Sequence, residues 1–164
     1  MKGVLNFLLS SSEEAKTLRQ HFVFRIVPML NPDGVVYGNY RCCLLGYDLN
    51  RRWKVPDRSF HPTIYYTKRT IRYMKQEREI EVFYDLHAHS LQEKIFMYGC
   101  SDTDIKKNAV IRIIPLVLAQ LDNSFSYKFS EFQIEKCKES AGRVVIYKKF
   151  NISKSYTCES SFYG

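Results

Sequence analysis

The sequence lacks any apolar run approaching the roughly 20 residues needed to span a bilayer, so we expect no membrane partner. It also lacks internal repeats, linkers and low-complexity tracts, and its 164 residues are enough for one domain with a real core. Apolar residues make up 45% and charged residues 26% of the chain, a balance that excludes a disordered protein.

Paired cysteine motifs are missing as well. The five cysteines are an odd number, and none belongs to a Cys-x-x-Cys pair. This pattern excludes a zinc ribbon and favours reduced, structural thiols in a cytoplasmic protein. No His-Glu-x-x-His or His-x-x-Glu motif is present. Because a protein zinc site needs at least three protein ligands, sequence spacing alone assembles no complete site.

The chain is basic, with a formal net charge of +8. Such a charge fits a solvated basic surface, an acidic protein partner or a nucleic acid. The basic residues are spread along the chain and form neither an arm nor a recognisable nucleic-acid motif. We therefore expect an acidic polypeptide partner rather than a nucleic acid.

Apolar patterning predicts strands that alternate with helices, which indicates an α/β fold. Residues 29–60 contain no long periodic segment, and a loop of that length is uncommon unless it is functional. Residues 140–150 are ambiguous between helix and strand. The predicted helices cover 1–20 with a second start at Ser12, 63–75 and 105–121; the predicted strands cover 22–27, 81–86, 95–98, 132–134 and 155–158.

The long loop carries Arg41, Asn50 and Arg51, and these residue types suit a carboxylate pocket. A guanidinium grips a planar carboxylate with two hydrogen bonds, and an amide donates to the same group. Surface solvation is the alternative for each arginine. Glu159 lies in a strand-like run near the end of the chain, where it is either exposed at a sheet edge or a buried base with a raised pKa.

His87 and His89 follow the predicted strand 81–86, which we expect to end at His87. A histidine at the carboxyl end of a strand is well placed for a ligand cleft in an α/β fold. The alternative is a pair of hydrogen-bonded histidines in a turn. Asp85 is either a partner that orients an imidazole or a turn residue.

Several ordered blocks of the sequence resemble the zinc metallocarboxypeptidases, and most closely the cytosolic carboxypeptidase subfamily, whose members include tubulin deglutamylases. These blocks run nearly from end to end, which makes the resemblance far more specific than any single motif. They are Val27-Pro-Met-Leu-Asn-Pro-Asp-Gly34, Gly38-Asn-Tyr-Arg-Cys42, Asp48-Leu-Asn-Arg-Arg-Trp53, His61-Pro-Thr63, Asp85-Leu-His-Ala-His-Ser90, Phe96-Met-Tyr-Gly-Cys100, Lys138-Glu-Ser-Ala-Gly-Arg-Val-Val145 and Tyr156-Thr-Cys-Glu-Ser-Ser161.

The resemblance implies a three-layer α/β/α sandwich around a mixed, mostly parallel sheet, with one catalytic Zn²⁺. By position, His87 resembles the third zinc ligand and Glu159 the general base. Arg41 resembles the arginine that polarises the scissile carbonyl and stabilises the oxyanion. Asn50 and Arg51 resemble the pair that holds the terminal carboxylate of the substrate. These roles agree with the chemistry of metal-assisted hydrolysis.

The subfamily removes C-terminal glutamates from acidic tails, notably those of polyglutamylated tubulin. This preference requires a cation in the side-chain pocket, and Arg143 is the candidate by position, with Lys148 and Lys149 behind it. The resemblance therefore implies acidic protein C-termini, possibly those of tubulin, as partners.

The sequence departs from the family at the His-Pro-Gly-Glu block, which carries the first two zinc ligands and is not present here. The closing helix and the subfamily's N-terminal β-domain are also not recognisable. Residues 1–164 are thus expected to be a partial catalytic domain, truncated at both ends, which binds zinc poorly and is inactive as it stands. The alternative function is a non-catalytic module that recognises acidic C-terminal tails.

Overall fold

The computed structural model of the chain describes residues 1–162 and divides into two units after Leu30. The first unit holds helices α1 (Lys2–Leu9) and α2 (Glu13–His21). The side chain of Ser12 accepts a hydrogen bond from the Ala15 amide, which confirms the predicted helix start there. The Arg19 guanidinium donates to the backbone oxygens of Leu8 and Ser10 and so ties the two helices together.

The predicted strand over 22–27 is wrong. The segment that follows α2 is assigned to no strand, although its residue types favour one. A β-strand is stabilised by ladder hydrogen bonds and by burial of at least one face, and four of the apolar side chains remain largely exposed: Phe22, Val23, Phe24 and Val27. β-propensity alone therefore does not make a strand here.

The second unit begins with a short helix inside the segment 29–60, where no long periodic segment was expected. Asn31 accepts a hydrogen bond from the Gly34 amide through its side chain, and Pro32 starts helix α3 (Pro32–Tyr37). Both residues are favoured at these positions. An asparagine side chain accepts a hydrogen bond from an amide at the helix start, and proline has no amide hydrogen that would be left without a partner there. The helix ends at Gly38, whose φ of 73° favours glycine. A 3-10 turn, Leu49–Arg51, follows within the long loop.

Three strands form a mixed sheet in the order β1-β3-β2: β1 (Phe83–His89), β2 (Phe96–Tyr98) and β3 (Ser155–Ser161). β3 lies in the middle, parallel to β1 and antiparallel to β2. The predicted ending of the first strand at His87 is wrong, because the ladder to β3 continues to His89. The short strand predicted over 132–134 is also absent; only an isolated bridge, between Tyr98 and Glu131, forms nearby.

Helices pack on both faces of this sheet, which confirms the α/β class with a mixed sheet. On one face, helix α5 (Ile105–Leu121) contacts β3 through the Tyr156 hydroxyl, which donates to the Ile111 oxygen at 2.7 Å. On the other, helix α6 (Gly142–Phe150) contacts β3 through the Ser155 hydroxyl, which donates to the Arg143 oxygen at 2.8 Å. The core on the α5 side contains Met97, Ile111, Phe125, Phe132 and Tyr156.

The remaining helix is α4 (Pro62–Glu77), and it matches the helix predicted over 63–75. The ambiguous segment 140–150 is helical, as α6, and six of its nine helical residues are buried. None of the helices within residues 1–162 is both long and apolar enough to cross a membrane.

Candidate active site

The 3-10 turn within the long loop carries Asn50 and Arg51. Asp48 caps this turn, since its side chain accepts a hydrogen bond from the Asn50 amide at 2.9 Å. The side-chain oxygen of Asn50 accepts a hydrogen bond from the backbone amide of Gly142, also at 2.9 Å. Because the oxygen of Asn50 is engaged, its NH₂ group is the end left to donate to a ligand.

Arg41 lies beside this turn on irregular backbone. Its guanidinium is 3.7 Å from the carboxylate of Asp48, and its side chain is 60% exposed. The Asn31 side chain donates to the backbone oxygen of Arg41 at 3.3 Å. The backbone of Arg41 is therefore fixed by Asn31, while its guanidinium stays accessible to a ligand.

His87 and Asp85 lie two residues apart on β1, so both side chains point to the same face of the sheet. The Nε2 atom of His87 is 3.0 Å from the Asp85 carboxylate. Burial lowers the pKa of His87, but the hydrogen bond and charge of Asp85, with Glu159 and Asp48 nearby, give a net rise. This contact leaves Nδ1 as the nitrogen available to a metal or a ligand.

Glu159 lies on the central strand β3, directly opposite His87 in the parallel ladder. The edge-exposed interpretation is therefore wrong, since β3 has a neighbour on each side. Burial raises the pKa of Glu159, and the positive charges of His87, His89 and Arg143 act in the opposite direction. A carboxylate with a raised pKa in a partly buried site is suited to accept and return a proton.

Arg143 is the second residue of α6 and is only 5% exposed. Its Nε donates to the backbone oxygen of Gly99 at 3.3 Å, and its guanidinium carbon lies 5.2 Å from the centre of the Tyr98 ring. None of the ion pairs formed among residues 1–162 includes Arg143. Burial lowers the pKa of Arg143, as expected for a cation that has lost water without gaining a carboxylate.

The six candidate residues come from four separate parts of the second unit. Charge interactions, with Asp48 as an intermediary, relate five of them: Arg41 with Asp48, Asp48 with His87, His87 with Glu159, and Glu159 and Arg51 with Arg143. Asn50 is linked to α6 by its hydrogen bond with the Gly142 amide. Their functional roles stay predictions.

Sequence reasoning assigned no role to the parts of the site that hold these residues in place. The cap at Asp48 carries a recognisable signal, because aspartate directly before a helical turn is a common N-cap. The amide of Gly142 and the ring of Tyr98 carry none, since each meets its partner across a long sequence separation.

A zinc ion does not fit the described residues as a complete site. His87 offers Nδ1, and Asp85 would orient the ring through Nε2. Within residues 1–162, however, no group of three or more His, Cys, Asp or Glu side chains is arranged to hold a metal. The described residues thus supply one apparent ligand, which is too few to hold the ion.

The model of the zinc carboxypeptidase family matches residues 2–163. The chain belongs to the zinc carboxypeptidase family. It is 46% identical over 165 residues to cytosolic carboxypeptidase 2 of Mus musculus, a match that covers 100% of this chain and 19% of that protein. It is 43% identical over 178 residues to cytosolic carboxypeptidase 1 of Xenopus laevis, with 100% and 14% covered. The chain therefore spans less than a fifth of the length of these two relatives.

Solved structures share the fold. A metallo-carboxypeptidase from Burkholderia cenocepacia superposes with a TM-score of 0.83 at 22% identity, covering 98% of this chain and 43% of that one. A putative carboxypeptidase A from Shewanella denitrificans gives a TM-score of 0.80 at 26% identity, again covering 98% and 43%. The sheet and its flanking helices are thus those of a carboxypeptidase domain.

Proposed function

We propose that this zinc carboxypeptidase family member acts in the cytoplasm and removes C-terminal glutamates from acidic or polyglutamylated protein tails, such as those of tubulin. Membership of the family supports the reaction class, and the names of the relatives support the location. One observation carries the glutamate preference: the buried guanidinium of Arg143, which forms no ion pair within residues 1–162.

The argument from Arg143 rests on the cost of burying a charge. Buried cations in folded proteins are almost always paired, because removal from water costs several kcal/mol per ion by order of magnitude. The contacts of Arg143 with Gly99 and Tyr98 offset only part of that cost. A substrate carboxylate that enters beside Arg143 would supply the missing counter-charge. A glutamate side chain offers that group, and a neutral side chain does not.

The α-carboxylate of the substrate is assigned to Asn50 and Arg51. The oxygen of Asn50 is held by the Gly142 amide, which leaves its NH₂ group to donate to a ligand. Among the described residues, the guanidinium of Arg51 forms a hydrogen bond only with the backbone oxygen of Asn50, at 3.2 Å. Together they offer the donors that a planar carboxylate requires. Recognition of two carboxylates, one terminal and one on the side chain, would select a C-terminal glutamate.

The chemical step is assigned to Glu159 and Arg41. Glu159 takes a proton from the attacking water and returns it to the leaving amine, a role suited to its raised pKa. Arg41 donates to the scissile carbonyl as negative charge develops on its oxygen, and its exposed guanidinium is free to reach it. Residues 1–162 do not complete a zinc site, but His87 would be one ligand of such an ion, which would help to activate the attacking water at neutral pH.

The 164 residues on their own are proposed to be catalytically inactive. Support comes from the ligand count, because the part of the chain that the structure describes brings no three metal-binding side chains together. The same observation favours a second candidate function, a non-catalytic module that binds acidic C-terminal tails. The two candidates share Asn50, Arg51 and Arg143 and differ in their need for Glu159 and His87.

Release of free glutamate distinguishes these functions. The full-length protein is incubated with a peptide ending in several glutamates, with and without a zinc chelator, and free glutamate is measured by mass spectrometry. The enzyme releases glutamate, and chelation stops the release. The binding module would be supported by two results together: the peptide still binds in the chelated sample, and a zinc-supplemented sample releases no glutamate.

A further inference from the structure

Lys68 is a buried lysine that none of the proposed steps uses. It lies on α4 and is only 4% exposed, which is rare for a lysine without a carboxylate partner. Its ammonium group donates instead to two backbone oxygens, those of Trp53 and Lys54, the latter at 2.8 Å. Two other cations, Lys149 and Arg72, are close enough to oppose its charge.

These surroundings are unfavourable for a cation. Burial and the neighbouring charges both lower the pKa of Lys68, to about 8. Its only hydrogen-bond partners within residues 1–162 are these two backbone oxygens. The buried ammonium group therefore fixes the backbone at Trp53 and Lys54. Charge-assisted hydrogen bonds of this kind are stronger than those between neutral groups.

The backbone that Lys68 holds directly follows the proposed carboxylate-binding turn. Arg52 closes the turn through its amide, which donates to the Leu49 oxygen at 3.1 Å, and Trp53 comes next. Arg51 therefore lies between two fixed points. One is the hydrogen bond from the Gly142 amide to Asn50, and the other is the pair of backbone oxygens held by Lys68.

The side chain of Trp53 connects the same segment to α6. Its ring is 1% exposed and meets the Phe83 ring at 5.8 Å. A methyl group added to Gly142 would lie 3.0 Å from this ring, so helix and indole are already in close contact. Any shift of the Trp53 backbone would thus be transmitted to the start of α6, where Arg143 is the second residue.

We propose that Lys68 is a positioning residue, whose buried ammonium group fixes the backbone after Arg51 and so keeps Asn50 and Arg51 in the geometry that receives the terminal carboxylate of the substrate. The inference rests on the proposed function, because it assumes that these two residues bind that carboxylate. A purely structural lysine would stabilise the fold without affecting which end group is bound.

The test compares the binding of two peptides by the 164-residue chain. Both peptides end in two glutamates, and one carries a free terminal carboxylate while the other carries a terminal amide. Dissociation constants come from fluorescence anisotropy for the wild type, Lys68→Met and Lys68→Gln. Lys75→Met is the matched control, since Lys75 lies on the same helix and also donates to a backbone oxygen, that of Phe150.

We expect Lys68→Met to reduce the preference for acid over amide by about tenfold, because small misplacements of a binding group weaken it strongly. Lys68→Gln keeps one NH₂ donor, and an intermediate loss is expected; it also serves where the methionine variant does not fold. Lys75→Met should keep the wild-type ratio. The emission of Trp53, the one tryptophan of the chain, should become easier to quench by acrylamide in the Lys68 variants only.

Two results would overturn the positioning role. One is a wild-type acid-to-amide ratio in a folded Lys68 variant. The other is an equal loss of affinity for both peptides, which is what a structural role predicts. Failure of the wild type to prefer the acid would instead contradict the proposed function, and it would do so before any variant is compared.

Discussion

Replacement of Arg143 by methionine should have opposite effects on stability and on substrate recognition. In the ligand-free protein Arg143 is a buried cation with no ion pair among the described residues. Exchange of a buried ion pair for apolar residues of similar volume is often neutral or stabilising by about 1–4 kcal/mol, and a buried charge without a counter-charge has less attraction to lose. Loss of the hydrogen bond to Gly99 and of the contact with the Tyr98 ring offsets part of this gain.

We therefore expect Arg143→Met to raise the free energy of unfolding by about 1 kcal/mol. For a chain of 164 residues, this corresponds to an increase in Tm of roughly 2–4 °C. Differential scanning calorimetry of the ligand-free chain measures it. Lys148→Met is the control, because Lys148 lies on the same helix but is 52% exposed and paired with Glu139. An exposed pair of this kind contributes little, so its Tm should hardly change.

The same substitution should weaken the binding of a peptide that ends in glutamate. Removal of one member of a buried charge pair costs about 2–5 kcal/mol of binding energy, or at least about 30-fold in affinity. This loss should apply to a peptide ending in glutamate and not to the same peptide ending in glutamine, which lacks the side-chain charge. Isothermal titration calorimetry with both peptides gives the comparison. An equal loss for the two peptides would refute the assignment of Arg143 to the side-chain pocket, and a clear fall in Tm would refute its description as an unpaired charge.

Three further variants test other parts of the account. Glu159→Gln should lower glutamate release by the full-length protein about 10²- to 10⁴-fold with peptide affinity retained, and near-normal turnover would remove Glu159 from the base role. Gly142→Ala should lower the free energy of unfolding by about 1–3 kcal/mol, measured in urea, because the new methyl group would lie 3.0 Å from the buried Trp53 ring; an unchanged midpoint would show that the ring can move. Burial lowers the pKa of Lys68 from its ordinary value of 10.5 to about 8, so the unfolded chain binds more protons between these values and stability should rise with pH there. Lys68→Met should remove this rise, and parallel stability curves of variant and wild type over that pH range would contradict it.

Long periodic segments were the part of the fold that sequence patterns predicted well. The helix over 105–121 was predicted from apolar spacing alone, and α5 has the same bounds. The capping residue Ser12 located the start of α2 for the same local reason. In both cases the deciding interactions lie within one helical turn, so they are legible in a short stretch of sequence.

The errors arose where partners distant in sequence decide the structure. The segment 22–27 has strand-forming residues but no strand, and β1 continues through His89 because β3, some 70 residues later, pairs with it. The site follows the same rule. The hydrogen bond between Asn50 and Gly142 spans 92 residues, and Lys68 contacts the loop across 15, so no local pattern predicts either. Candidate site residues came from the resemblance to the family, whereas the contacts that hold them came from the structure.

The central claim is that one pocket reads both carboxylates of a C-terminal glutamate. A crystal structure of the chain with a bound peptide ending in glutamate tests it most directly. The account predicts that the α-carboxylate lies within hydrogen-bonding distance of the Asn50 NH₂ group and the Arg51 guanidinium, and that the side-chain carboxylate contacts Arg143. A peptide whose last side chain points away from Arg143, or whose terminal carboxylate binds elsewhere, would contradict the account.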